Sequence, residues 1–311
     1  MKYLITGGAG FIGSNLAARL LADRHNKVVV FDNFSVGKEK YLVKDSKLKI
    51  VKSDIENSVK LLEAMSGCDC VFHFASNSDI SKSIKNPTID FYQGTMLTHY
   101  VLEAMRKKNV KRIIFPSGSG VYGDAGEKLI KEDYSYKIPV STYGAGKLAS
   151  ESLIAAYSSM FGIKGSVLRF ANVVGRHQTH GVIFDFVNKL KKNPSELRVL
   201  GNGMQKKSYI YIEDILDALM LIERKQKNIY DYYNVSTGDY ATVKQIAKAV
   251  TDEMGLINVK YIYGKESIGW KGDVPVIKLS SAKIKSLGWK PEYSSAEAIR
   301  LAIKDILDEN D

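Results

Sequence analysis

The side chains best able to move a proton in this chain are a tyrosine and a lysine four residues apart, in the run Tyr143-Gly144-Ala145-Gly146-Lys147. On a helix that spacing puts both on one face. A lysine cation beside the phenol lowers its pKa and makes it a base near neutral pH. Spacing alone decides little, because Tyr240…Lys244 and Tyr261…Lys265 repeat it, making three matches. Only Tyr143 starts a long helical stretch soon after a serine-rich strand end, Phe115-Pro116-Ser117-Gly118-Ser119-Gly120-Val121-Tyr122-Gly123.

A second group could hold phosphate. Thr6-Gly7-Gly8-Ala9-Gly10-Phe11-Ile12-Gly13 follows a short apolar run and opens a helical one. Glycines at Gly7, Gly10 and Gly13 let the backbone turn tightly and approach a pyrophosphate. The helix start then offers unpaired N–H groups at the positive end of its dipole. Asp32 ends the next apolar run, 19 residues after Gly13. A carboxylate there accepts both ribose hydroxyls of an adenosine and repels a 2′-phosphate, so NAD is expected rather than NADP. Asp54, followed by Ile55, ends a third run. Either it meets the adenine amino group or it caps the helix that follows.

The elements that must position these groups alternate. Strands are expected at Lys2–Thr6, Lys27–Phe31, Leu48–Lys52, Cys70–Phe74, Lys111–Phe115 and Gly165–Phe170. Helices are expected at Phe11–Asp23, Ser58–Met65, Ile89–Lys107 and Ser141–Phe161. That rhythm calls for an α/β fold, a doubly wound parallel sheet of Rossmann-like type with right-handed crossovers. After Asn172 it breaks. Gly175–Gly181 reads as loop, Val182–Lys192 as helix and Arg198–Leu200 as a short extended piece. Ser208–Ile212 reads as a strand returning to the main sheet. Val243–Met254 and Ser294–Leu307 read as amphipathic helices, with Gly255–Pro275 irregular. The expected organisation is a cofactor domain of residues 1–172 joined by 208–236. A smaller, interrupted α/β substrate-binding domain is expected from 173–207 and 237–311.

Composition narrows the class. At 311 residues, 45% hydrophobic and 25% charged, the chain reads as globular with a sizeable core. The net charge of +11 comes from dispersed lysines that cluster no further than pairs such as Lys107-Lys108 and Lys206-Lys207. That favours a solvated surface, or steering of a small anion, over nucleic-acid binding. The two cysteines, Cys68 and Cys70, have no completing ligands nearby, so no metal is expected. Low cysteine usage points to a reducing cytoplasm. No apolar run approaches the ~20 residues that span a bilayer, and no signal peptide is expected ahead of the glycine motif.

Taken in order, these pieces resemble the extended short-chain dehydrogenase/reductase family, and within its NAD-dependent epimerases and dehydratases most closely the UDP-glucose 4-epimerases. The resemblance runs through Thr6–Gly13, Asp32-Asn33-Phe34-Ser35, Asp54-Ile55, His73-Phe74-Ala75-Ser76, Val121-Tyr122-Gly123 and Tyr143…Lys147. It continues through Leu168–Gly175, Gly201-Asn202-Gly203, Tyr209–Asp214, Gly272-Asp273-Val274 and Leu287–Pro291. It implies Tyr143 as acid/base and Lys147 as its electrostatic partner, also holding the nicotinamide ribose. Phe74, Ala75 and Ser76 would line NAD, together with Asn33, Ser35, Gly37, Ser117 and Phe170. Asn172 would donate to a substrate diphosphate, with Lys207 nearby. Val182 and Leu200 would lie against the nucleotide, Leu200 at the uracil, and Asp273 would lie near its ribose.

Departures from the family pattern are specific. Gly118 stands where the family has a Ser or Thr hydroxyl assisting the tyrosine, between Ser117 and Ser119; the hydroxyl is either missing or displaced to one of these two, with Ser119 taken as the catalytic candidate. Lys207 replaces an arginine, supplying charge without a bidentate fork. Another arginine position near Gly272 falls at Ile268 or Trp270. Dehydratases and decarboxylases of the family carry a carboxylate just before Val-Tyr-Gly, where this chain has Ser119 and Gly120. The resemblance therefore implies an NAD-dependent enzyme that epimerises a UDP-sugar, most directly UDP-glucose/UDP-galactose at C4 through a transient 4-keto sugar. The alternatives are epimerisation of UDP-glucuronate or a UDP-N-acetylhexosamine, dehydration, or NAD binding without catalysis. A homodimer is expected. Ile277 falls where the family limits the space beside C2, and its size implies room for an N-acetyl group.

Overall fold

The structure is a computed structural model and describes residues 1–77 and 80–309. By its own contacts the chain divides into two compact units. One is built from Met1–Gly118, Ala145–Arg169 and Leu219–Tyr232, the other from Ser119–Gly144, Phe170–Ala218 and Tyr233–Asp311.

A seven-stranded parallel sheet dominates the first unit. Its strands are β1 (Lys2–Thr6), β2 (Lys27–Asp32), β3 (Leu48–Lys52), β4 (Cys70–His73), β5 (Arg112–Gly118), β6 (Lys164–Phe170) and β7 (Tyr230–Val235). Their order across the sheet is β7-β6-β5-β4-β1-β2-β3. The chain winds outward from β1 to β3, then starts again at β4, so the order reverses between β1 and β4. Ligands of open α/β sheets bind beyond the strand ends at such a reversal. Here those ends are Thr6 and His73, which face each other in register. The central strands are continuous apolar runs because helices cover both faces: Leu4, Ile5, Val28, Val30, Val71, Phe72, Ile113 and Ile114 are all fully buried. Burying each large side chain stabilises the fold by roughly 1.5–3 kcal/mol.

Four helices frame the reversal: α1 (Phe11–Leu21), α2 (Ser58–Met65), α3 (Leu97–Lys108) and α4 (Thr142–Phe161). The expected single helix over Ile89–Lys107 is a composite. A turn of helix at Thr88–Asp90 runs into a six-residue π turn, Phe91–Met96, before α3 begins. Within this turn Gly94 packs against the backbone of Gly146, where a Cβ would lie at 3.6 Å, an ordinary contact distance. π turns concentrate at functional sites.

The second unit has its own core, in which Ile183, Val187, Leu197, Ile246, Val250, Ala298, Ala302 and Ile303 are fully buried. Three helices supply most of it, Val182–Lys192, Val243–Glu253 and Ser295–Asp308. The last two start with capping boxes, Thr242/Gln245 and Ser294/Glu297.

Three expectations fail here. Ser208–Ile212 does not rejoin the main sheet: Tyr209–Tyr211 pairs with Asn172–Val174 in a separate two-stranded ladder, and the strand that returns is β7. Ile212 instead starts a helix to Lys225. Its apolar side chains recur at Ile215, Leu216, Leu219 and Ile222, all fully buried, and that helical period was hidden by the β-branched and aromatic run before it. Finally, Gly255–Pro275 is not wholly irregular, because Lys260–Tyr263 pairs with Glu196–Val199. The latter strand stops before Leu200, which is 60% exposed. No helix among the described residues is long and apolar enough to cross a membrane.

Candidate active site

The glycine loop closes tightly on its neighbours. Gly7 has φ +67°, and a Cβ there would lie 2.7 Å from the Ala75 amide nitrogen. A Cβ on Gly13 would lie 2.4 Å from the Gly7 carbonyl, so neither position accepts a side chain. Gly37 brings the loop after β2 against Ala9 in the same way. Gly10 is the N-cap of α1 and provides no side-chain cap, so no side chain closes the helix start over Phe11, Ile12 and Gly13. Asp32 is buried. Its Oδ2 accepts from the Ala9 amide (2.9 Å) and its Oδ1 from the Phe34 amide (2.8 Å). The second bond supports Phe34 at φ +59°, a conformation rare for a bulky residue. Each carboxylate oxygen keeps a second acceptor site for a ligand hydroxyl. Asn33 donates to Asp54 (2.6 Å), and Asn33 also accepts from the Ser35 amide (3.0 Å). Asn57, not Asp54, caps α2. Ile55 is buried beside it.

Across the reversal, Phe74, Ala75 and Ser76 follow β4 and are half-buried. Lys147, one turn into α4, is 5% exposed. Its ammonium donates to the Pro116 carbonyl (3.0 Å) and Ser76 Oγ (3.3 Å) and stands 4.7 Å over the Phe115 ring. Burial holds the Lys147 pKa down at about 8, while the charges of Glu151 and Asp90 oppose the fall. Glu151, one turn further along α4, is itself committed to Arg169 in a buried two-pronged pair. Tyr143 lies one turn before Lys147 and is half-buried. The other two tyrosine–lysine matches share no helix: Tyr240 precedes the helix that carries Lys244, and Tyr261 lies on a strand.

At the end of β5 the three small residues differ sharply. Ser117 is buried, and its Oγ has no hydrogen-bond partner. A Cβ on Gly118 would meet nothing within 4 Å. Ser119 begins a 3-10 turn, Ser119–Tyr122, and is half-buried. That turn is pinned by Tyr122, whose buried hydroxyl donates to Asn234 (2.8 Å). It also packs against the start of α4, where a Cβ on Gly144 would lie 2.4 Å from the Gly120 carbonyl.

Among the residues expected to hold a nucleotide, Lys207 and Asp273 come together as an ion pair at 2.5 Å. Asp273 Oδ2 also accepts from the Gly269 amide. Asn172 sits on the short ladder opposite Tyr209. Leu200 is exposed, as are Met204 and Ile268, whereas Val182 lies at the start of its helix, packed on the core of the second unit. Phe170 ends β6 and is buried. Ile277 is buried.

Residues 3–236 match the NAD dependent epimerase/dehydratase family. A proposed UDP-glucose 4-epimerase of Methanocaldococcus jannaschii is 32% identical over 308 residues, covering 96% of each chain. The chain belongs to this family. Two solved structures show how wide the family's chemistry runs. The UDP-glucose 4-epimerase of Thermotoga maritima, solved with UDP-glucose, is 29% identical with a TM-score of 0.91, covering 100% of both chains. The dTDP-glucose 4,6-dehydratase DesIV of Streptomyces venezuelae, solved with NAD, is 26% identical with the same TM-score, covering 100% of this chain and 98% of that one.

As a member of this family of enzymes, the chain uses NAD, and its first unit fits that cofactor. The glycine loop leaves no side chain over the start of α1, Asp32 keeps acceptor capacity, and Ser117 offers a buried hydroxyl without a protein partner. Several buried polar residues beside these groups escaped the sequence reading. They are Thr98, Ser150, Glu151, Asp90 and the imidazole of His73, and only His73 fell within a recognised motif.

Proposed function

We propose that this member of the family is a UDP-hexose 4-epimerase that interconverts UDP-glucose and UDP-galactose. The observation that carries the reading is the pair Ser119-Gly120 ahead of Val121-Tyr122-Gly123. Dehydration needs an additional acid or base beside the sugar, and no carboxylate stands at either position. Gly120 is moreover packed against Gly144, whose own Cβ the turn excludes.

In this reading NAD, which the glycine loop, Asp32 and Ser117 would hold, would supply the reversible hydride chemistry at C4. The protein moves the proton. Tyr143 takes it from the 4-hydroxyl, forming the C4 carbonyl, and returns it when C4 is reduced again. Lys147 stabilises the phenolate across one helical turn. Asn172 and Lys207 hold the diphosphate, Asp273 the nucleotide ribose, and Leu200 with Val182 the base. Ile277 leaves room beside C2, which extends the substrate range to UDP-N-acetylglucosamine. A homodimer in a reducing cytoplasm accords with exposed Phe91 and Met160 and with the two free, buried cysteines.

Product analysis with UDP-galactose and dTDP-glucose tests the proposal. The expected product is UDP-glucose from the first and no loss of water from the second. Conversion of dTDP-glucose to a 4-keto-6-deoxy sugar would overturn it.

A further inference from the structure

Behind the glycine loop lies a line of polar side chains that the chemistry above does not use. The Ala75 amide donates to Thr6 Oγ1 (3.4 Å), and Thr6 Oγ1 meets His73 Nδ1 at 2.7 Å. His73 Nε2 meets Thr98 Oγ1 at 3.1 Å, Thr98 Oγ1 meets Ser150 Oγ at 3.1 Å, and Ser150 Oγ donates to the Gly146 carbonyl at 2.9 Å. Thr6, His73, Thr98 and Ser150 are each no more than 1% exposed. Burial and the Lys147 charge push the His73 pKa down to about 3, so the imidazole is neutral with one N–H. Ala75 N–H donates to Thr6, Thr6 O–H to Nδ1 and Nε2–H to Thr98; the single Thr98 proton is shared between the Gly94 carbonyl (2.8 Å) and Ser150 Oγ (3.1 Å), and Ser150 O–H goes to the Gly146 carbonyl.

The ends of the line are informative. One end is the residue against which the glycine loop closes. The other is the peptide immediately before Lys147. The π turn delivers the middle, because Gly94 packs on Gly146, Thr98 also reaches the Gly94 carbonyl (2.8 Å), and Thr95 reaches the Gly146 carbonyl (3.4 Å). Direct apolar packing would fill the same space without specifying which way the peptide before Lys147 faces.

We propose that His73, Thr98 and Ser150 are positioning residues: their hydrogen-bonded line couples the glycine loop to the turn of α4 that carries Lys147, so that cofactor grip and lysine placement are set together. The coupling to NAD stands on the family assignment alone, and its effect on turnover rests also on the epimerase reading. An NAD-binding readout therefore keeps the two separable.

The decisive variants are Thr98→Val, which keeps shape and removes the hydroxyl, Thr98→Ser, which restores it, and Ser150→Ala, which cuts the last link with little change in packing. NAD affinity of cofactor-stripped protein is measured by calorimetry, and kcat and KM are measured with UDP-glucose. A misplacement of under 1 Å at a reacting group costs on the order of tenfold or more. Thr98→Val is therefore expected to weaken NAD binding and lower kcat, each about tenfold, with KM for the sugar nearly unchanged, and Thr98→Ser to recover most of both. Thr6→Val should add little once Ser150→Ala has cut the line, a non-additivity that independent packing defects do not show. If Thr98→Val fails to fold, Ser150→Ala and its double variant with Thr6→Val decide alone. Folded variants that bind NAD like the parent, or losses that simply add, would overturn the proposal. Normal NAD effects with no sugar turnover in the parent would instead remove the epimerase reading and leave the coupling standing.

Discussion

Lys147 shows what burying a single charge costs. Its ammonium is buried with two protein acceptors in view, and burial holds its pKa at about 8, below the ordinary 10.5. Between those two values the unfolded chain binds the proton more than the folded one, so this group makes the protein more stable as pH rises from about 8 toward 10.5. Lys147→Met lacks that slope. Thermal melts of both proteins at several pH values check it: relative to the variant, the parent should gain stability across that window, and parallel curves would contradict the burial. A second test separates the serines. Ser117 is buried under the strand end, whereas Ser119 is half-exposed on the turn, so Ser119 is the better stand-in for the hydroxyl absent at Gly118. Ser119→Ala should slow single-turnover epimerisation by roughly 10²-fold, the usual scale for a proton-transfer helper. Gly118→Ser, which meets no neighbouring atom, should change the rate little. A large gain from Gly118→Ser with no loss from Ser119→Ala would mean that the hydroxyl is missing, not displaced.

The helix bearing Tyr143 and Lys147 was legible from its length and its place after a serine-rich strand end. Its setting was not. Gly144 and Gly146 look like helix-weakening residues in sequence, yet each marks a backbone crossing, against Gly120 and against Asp90. A Cβ on Gly146 would lie 2.8 Å from the Asp90 carbonyl. Gly146→Ala would gain up to ~1 kcal/mol of helix propensity, but overpacking costs typically ~1–3 kcal/mol. Denaturant unfolding should show net destabilisation, and kcat should fall because the crossing fixes Lys147. A more stable, fully active Gly146→Ala would show that the crossing is slack. The buried His73 line was invisible for the same reason: it depends on partners far along the chain. The helix Ile212–Lys225 went unread, because the preceding Tyr209-Ile210-Tyr211 run drew the strand reading forward over its first residue and hid its period.

For the molecule as a whole, the cofactor half was written in the sequence and the sugar half was not. A phosphate-holding loop needs glycines at fixed spacing, a helix start and an acid at a strand end, and these are local. In the proposed reading sugar selection rests on single side chains from separate segments, Asn172, Lys207, Asp273 and Ile277, and solved relatives with different reactions share the fold at similar identity. Asp32 makes the cofactor choice testable by calorimetry: NAD should bind at least tenfold more tightly than NADP, and equal affinity would remove its role. The central claim is a hydrogen taken from C4 and returned to C4 with Tyr143 moving the proton. Its most direct test supplies UDP-galactose deuterated at C4 to protein carrying its own NAD, with none added, and follows the sugar by NMR. The predicted result is UDP-glucose that keeps the deuterium at C4, and no turnover by Tyr143→Phe protein that still binds NAD. Deuterium found at C6 of a 4-keto-6-deoxy product, or full activity in Tyr143→Phe, would contradict it.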